Sequence, residues 1–151
     1  MKKEKITIRQ YRAKRLDNGE WVTGYVVPVT SEGKTQMHIV SGQEHGILNG
    51  FPVDPETIGQ DTGMTDCRGD KVFEGDIVLY RITDERYKKN PRYEMLLIYY
   101  DAKNAKFEAK YKDGVAIFWK DLRSEIVEVV SNIHDRPEYL DLDWNARSLK
   151  Y

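Results

Sequence analysis

The chain has little of what marks secreted, membrane-spanning or metal-clustered proteins. Cys67 is its single cysteine in 151 residues, and one thiol makes neither an intramolecular disulfide nor a multi-cysteine zinc site. No stretch approaches the roughly 20 consecutive apolar residues that a bilayer-crossing helix needs. The basic start Met1-Lys2-Lys3-Glu4-Lys5 offers only Ile6 and Ile8 before Arg9, too little for the apolar part of a secretory signal. An excess of one charge is also missing. Lys+Arg 24 against Asp+Glu 25 gives a net charge of −1, so no overall field draws the chain to nucleic acid or to an anionic membrane. Neither Gly-Lys-Ser nor Gly-Lys-Thr occurs and the glycines are dispersed, which excludes a P-loop nucleotide site. These absences predict a cytoplasmic protein with no membrane association and no cofactor.

What is present points to strands. Hydrophobic residues at 40% and charged residues at 32% describe an ordered globular chain, long enough to bury a core without staples. Ten tyrosines and three tryptophans favour sheets and partner-facing surfaces over helical bundles. Residues 6–15 and 21–27 read as a hairpin about Asn18-Gly19, a pair suited to a tight two-residue connection. Pro28 is expected to end the second arm, because it cannot donate to a central ladder. A short strand over 35–40 is followed by residues 41–50, whose composition predicts a loop. Residues 57–60 read as a strand with Gly59 inside it at a bulge or close approach. Further strands are expected over 77–82, 94–100, 105–111, 115–119 and 126–133, with Asp101-Ala102-Lys103-Asn104 turning the second strong hairpin. A helical turn starts within 134–140, with Asp135 near its cap and Pro137 tolerated in its first turn. The predicted organisation is a β-rich lobe over 1–64, a small barrel over 65–140, and a tail or loosely packed helix over 141–151.

The most informative run is Val53-Asp54-Pro55-Glu56-Thr57-Ile58-Gly59-Gln60-Asp61-Thr62-Gly63-Met64-Thr65-Asp66, continued by Gly69-Asp70-Lys71-Val72-Phe73-Glu74-Gly75-Asp76-Ile77-Val78. Its glycines supply turns, and its aspartates can accept from free backbone amides. The Glu74-Gly75-Asp76 step is one that small SH3-type barrels often use. This run resembles the signature of the YopX family of phage and prophage proteins. The opening Tyr11-Arg12-Ala13-Lys14 is similar to the family's start, with lysine replacing an aromatic. Residues 126–140 resemble its ending, with Ser131 in place of glycine and His134 in place of tyrosine. The resemblance implies a phage or prophage origin, an N-terminal mixed lobe, a C-terminal SH3-type β-barrel and a homo-oligomer. It carries over no catalytic residue. Asp54, Pro55, Thr57, Gly59, Gly63, Asp66, Gly69, Gly75 and Asp76 read as a structural motif that bends and caps backbone.

His38 and His45, with Glu44 and Asp54, could supply nitrogen and oxygen ligands to a metal-assisted hydrolase, but their spacing matches no ligand pattern on one helix or hairpin. Cys67 beside Arg68 could be a reactive thiol, yet no base is placed near it. Asp54, Glu56, Asp61 and Asp66 lack the spacing of a calcium loop. The loop carrying Arg86, Tyr87, Lys88, Lys89, Arg92 and Tyr93 interleaves cations with tyrosines, as single-strand nucleic-acid binders do; a solvated loop looks the same. Tyr99, Tyr100, Phe118 and Trp119 are candidates to face another subunit. The resulting expectation is a non-enzymatic, self-associating module that docks a protein or nucleic acid. Nucleic-acid binding through that loop is the alternative, and metal-assisted hydrolysis comes last.

Overall fold

A computed structural model describes residues 8–44, 47–111, 114–117, 119 and 122–141. The chain divides into two compact units, Met1–Asp61 and Thr62–Tyr151. The first holds β1 (Tyr11–Lys14), β2 (Trp21–Ser31), β3 (Lys34–Glu44), β4 (Ile47–Pro52) and the start of β5 (Gly59–Thr65), in the antiparallel order β4-β3-β2-β1-β5. The two-residue period of a strand sorts the side chains. Ala13, Ile39 and Val53 are fully buried, and Tyr11, Val22, Val26, Met37 and Ile58 pack around them.

Several expectations about this unit are corrected. Asn18-Gly19 belongs to a longer turn, closed by Arg15 N–H to Glu20 C=O and Gly19 N–H to Arg15 C=O, both 2.9 Å. Pro28 does not end β2, which continues to Ser31. The reason lies in the hairpin register. Glu32 and Gly33, with φ of 51° and 75°, form the mirror-type turn whose twist suits a hairpin, and Ser31 faces Lys34 across it. Counting back by alternation puts Pro28, opposite Met37, at a non-hydrogen-bonded position, where its missing N–H points away from β3 and costs the β2–β3 ladder nothing. Residues 41–50 are largely strand and not loop: β3 runs to Glu44 and β4 resumes at Ile47, with a bulge between Ser41 and Gln43 around Gly42 (φ 69°). The strand expected over 57–60 begins only at Gly59, because Pro55–Thr57 is a 3-10 turn. Pro55 presets its φ and the Asp54 carboxylate accepts the Glu56 N–H at 3.0 Å.

β5 continues past Asp61, and β6 (Lys71–Phe73) pairs with β5. The rest of the second unit comprises β7 (Asp76–Ile82), β8 (Arg92–Asp101), β9 (Lys106–Lys110), β10 (Ala116–Ile117), β11 (Val127–Asn132) and the short helix α1 (Glu138–Asp141). Its five-stranded sheet has the order β10-β9-β8-β7-β11. The protein is mainly β, as the sequence indicates, but this sheet stays open, with β10 and β11 as its edges. Closure into a barrel is not among the described pairings. The strand expected over 115–119 shrinks to two residues, and Phe118 lies outside the described residues. The tail over 141–151 lies outside them from residue 142 on. One sheet face carries the core of Val72, Val78, Leu96, Ile98, Ala109, Leu122, Ile126 and Val127, each large aliphatic contributing about 2 kcal/mol by leaving water. The opposite face buries Ile77 and Leu97 with Met95, Ile133 and Tyr139. Among the described residues, no helix is long and apolar enough to cross a membrane.

Candidate functional site

Most of the signature residues sit where the backbone turns, while Gly59 and Gly63 lie within β5. Asp54 caps the 3-10 turn, and Thr57 beyond it donates its hydroxyl to the Asp54 carbonyl at 2.7 Å while accepting the Lys14 N–H at 2.8 Å. Gly63, Gly69 and Gly75 all have positive φ, at 82°, 86° and 89°. Gly59 is buried opposite Arg12. The buried Asp66 carboxylate accepts the N–H groups of Arg68, Asp70 and Val129 at 2.9, 2.9 and 3.0 Å. Asp76, fully buried, accepts the Phe73 N–H at 2.8 Å. These carboxylates accept from main-chain N–H groups, which is what a turn needs.

Of the proposed metal ligands, His45 lies outside the described residues, and His38 Nδ1 is 3.3 Å from the Gln36 carbonyl. Among the described residues, no group of three or more histidine, cysteine or acidic side chains is placed to hold a metal ion. Cys67 is exposed, and its neighbour Arg68 turns to Asp70 and Glu128 at 3.7 and 3.5 Å.

The basic loop is organised by its own acids. Residues Glu85–Tyr87 form a 3-10 turn capped by Asp84, whose two oxygens also take Arg86 Nε and Nη2 at 3.0 and 2.8 Å. The Arg86 guanidinium holds the Asp84 carboxyl down at about 2. Lys88 pairs with Glu85 at 2.7 Å and Arg92 with Glu94 at 3.6 Å, while Arg92 also lies over the Tyr87 ring at 5.8 Å. Lys89 is the loop cation with no ion-pair partner among the described residues, and Tyr93 is 46% exposed. A phosphate backbone therefore competes with intramolecular carboxylates for three of the four cations.

Of the aromatics proposed to face a partner, Tyr99 and Trp119 are partly buried, Tyr100 is 37% exposed and Phe118 lies outside the described residues. Tyr100 meets Phe107 edge-on at 5.1 Å, Phe107 lies 5.9 Å from Trp119, and Trp119 packs on the core. Tyr99 donates its hydroxyl to Glu108, which Lys106 also holds at 2.7 Å. Burial, and then Glu108, push the Tyr99 phenol up to about 12. An alkaline absorbance titration is accordingly expected to lose a phase at about pH 12 in Tyr99→Phe; an unchanged phase there refutes this.

Sequence reading missed the surface that stands out. Residues 27–36, the outer parts of β2 and β3 with their turn, are exposed throughout. On one face of this arm lie Tyr25, Val27 and Val29, exposed by 43%, 38% and 42%, opposite Val40, His38 and Gln36. Among the described residues, β1 pairs with β2 only as far as Gly24. The apolar alternation was visible in the sequence, but reading Pro28 as a strand end hid it.

The fold and its turns define a two-unit, predominantly antiparallel β protein whose signature residues shape backbone. Residues 10–141 match the YopX protein family, and the chain belongs to that family. Among solved structures it is similar to the crystal structure of protein EF1440 from Enterococcus faecalis, with 25% identity and a TM-score of 0.50 over 89% of this chain and 99% of that one. No curated protein shows significant similarity to it.

Proposed function

We propose that this chain is a non-enzymatic phage or prophage accessory protein that acts in the host cytoplasm by associating with itself and docking a further macromolecule. The carrying observation is the β2–β3 arm, a stretch of ordered strand exposed on both faces and apolar on one. An ordered strand surface that is apolar on one face is one that a partner can cover. The second unit supports a binding-module reading through its topology. β7 to β10 run as a meander, and a 3-10 turn at Ser124–Ile126 precedes β11, which returns beside β7; this is the strand order of an SH3-type barrel. Nucleic-acid binding through Arg86, Tyr87, Lys88, Lys89, Arg92 and Tyr93 ranks second, favoured by Lys89 and the exposed Tyr93. Its test is salt-dependent binding to single-stranded DNA, expected to weaken in Lys89→Glu. For self-association the test is light scattering on the eluting full chain: a mass above that of one chain is expected at tens of micromolar, and a monomer throughout refutes it.

A further inference from the structure

We propose that the turn Asp66–Asp70 is an autoinhibitory guard on the outer edge of β11: it occupies the hydrogen-bonding positions of a further strand and keeps this edge from pairing with the same edge of a second copy. This role is separate from the self-association assigned to the arm.

Val127 and Val129 lie opposite Tyr80 and Val78, and their main-chain groups point away from β7. A bare edge strand presents such groups to water or to another chain. Here each is taken. The Val127 N–H goes to the Ser124 carbonyl in the preceding 3-10 turn, and the Val127 carbonyl accepts the Cys67 N–H at 2.9 Å. The Val129 N–H donates to Asp66 Oδ2 at 3.0 Å, and the Val129 carbonyl accepts from Arg68 Nη2 at 3.0 Å. One main-chain group and two side chains of a single turn thus do what the backbone of a neighbouring strand does.

Turn capping alone does not need this arrangement. Asp66 Oδ1 by itself accepts both turn donors, the N–H groups of Arg68 and Asp70, which leaves Oδ2 for β11. The Arg68 guanidinium, 3.7 Å from Asp70, reaches past it to the Val129 carbonyl and to Glu128 at 3.5 Å. The strand so covered is one that needs cover. Ile126-Val127-Glu128-Val129-Val130 is β-branched apart from Glu128, a composition that pairs readily with its own copy, and Glu128 is the charge that Arg68 meets. Two identical edges meet antiparallel about a twofold axis with the same donors and acceptors on each side, so a second copy is the occupant that this edge fits.

Sedimentation velocity on the full chain over roughly 5–200 μM tests this, with every variant read against wild type at the same concentration. Asp66→Asn/Arg68→Ala keeps an oxygen for the two turn amides, but sets an amino group against the Val129 N–H and frees the Val129 carbonyl. It is expected to show a concentration-dependent species of about twice the wild-type mass. Val129→Pro added to it removes the outward donor without touching the β7 ladder, and is expected to return the wild-type mass. Circular dichroism reports folding. Should the two changes together unfold the unit, Arg68→Ala alone is read in the same way, because its side chain is exposed and it frees only the Val129 carbonyl. A folded variant of this kind that sediments as wild type overturns the guard. A doubled mass that survives Val129→Pro overturns the β11 edge as the pairing surface. The mass of wild type by itself bears on the arm alone.

Discussion

Gly24→Ala is expected to unfold the first unit or destabilise it by more than about 4 kcal/mol, the range reserved for uncompensated overpacking and strain. Gly24 is buried where β2 leaves β1 and passes onto β3. A Cβ there overlaps the Val40 carbonyl oxygen and comes within 2.8 Å of its carbon and 3.0 Å of Ile39 Cγ2. The first two obstacles are main chain, which cannot rotate aside as a side-chain tip can, and Ile39 is fully buried in the unit's core. The penalty comes from contact and not from dihedral freedom, so every larger residue is expected to be worse than alanine. Hydrogen exchange separates the units: protection over residues 11–60 is expected to fall in Gly24→Ala while that of β7 to β9 persists. By contrast Gly33, exposed at the turn with nothing within 4 Å of its Cβ position, is expected to cost only the strain of its positive φ. Retained protection over residues 11–60 in Gly24→Ala refutes the assignment.

The contrast between Gly24 and the signature glycines shows what a sequence displays. Gly69 and Gly75 lie among Asp, Asn-like turn formers and short apolar runs, so local composition announces a turn. Gly24 lies in Trp21-Val22-Thr23-Gly24-Tyr25-Val26, and the residue that makes it indispensable, Val40, is 16 positions away; no local pattern encodes a long-range approach. Pro28 failed for a related reason. Whether a proline ends a strand depends on which way its nitrogen faces, and that is fixed by the Glu32-Gly33 turn downstream. β9 was legible because its alternation is strict, with Phe107 and Ala109 inward and Lys106 and Glu108 outward, and β7 and β8 because each carries a run of apolar residues buried on both faces. The engagement of Arg86 and Lys88 was not, although Asp84 and Glu85 sit beside them in sequence, since their pairing depends on the 3-10 turn that Asp84 caps; Arg92 meets Glu94 because residues two apart share a face of β8.

Asp66→Ala is expected to destabilise the second unit by about 3–5 kcal/mol, measured by urea unfolding at neutral pH. Its carboxylate answers three main-chain donors, from Arg68 and Asp70 within its own turn and from Val129 on β11, and its side chain is entirely buried. Alanine leaves all three donors without this acceptor. The Val129 bond spans 63 positions, so the loss detaches the turn from the β11 edge as well as loosening the turn. Asp66→Asn tests the charge, since the amide oxygen can serve Arg68 and Asp70 while the amino group meets the Val129 N–H. Desolvation pushes the Asp66 carboxyl up, but the amides of Val129, Asp70 and Arg68, with the Arg68 guanidinium, outweigh it, and the group lies below its ordinary value of 3.8. A carboxylate with a depressed folded value stabilises the fold above the unfolded value and loses that contribution as pH falls through the folded one. Wild type is therefore expected to lose stability on acidification below about pH 4, and the difference between wild type and Asp66→Asn to narrow there. A difference that stays constant from pH 7 down to pH 2 refutes the role of the charge, and a neutral-pH loss under about 1 kcal/mol in Asp66→Ala refutes the role of the residue.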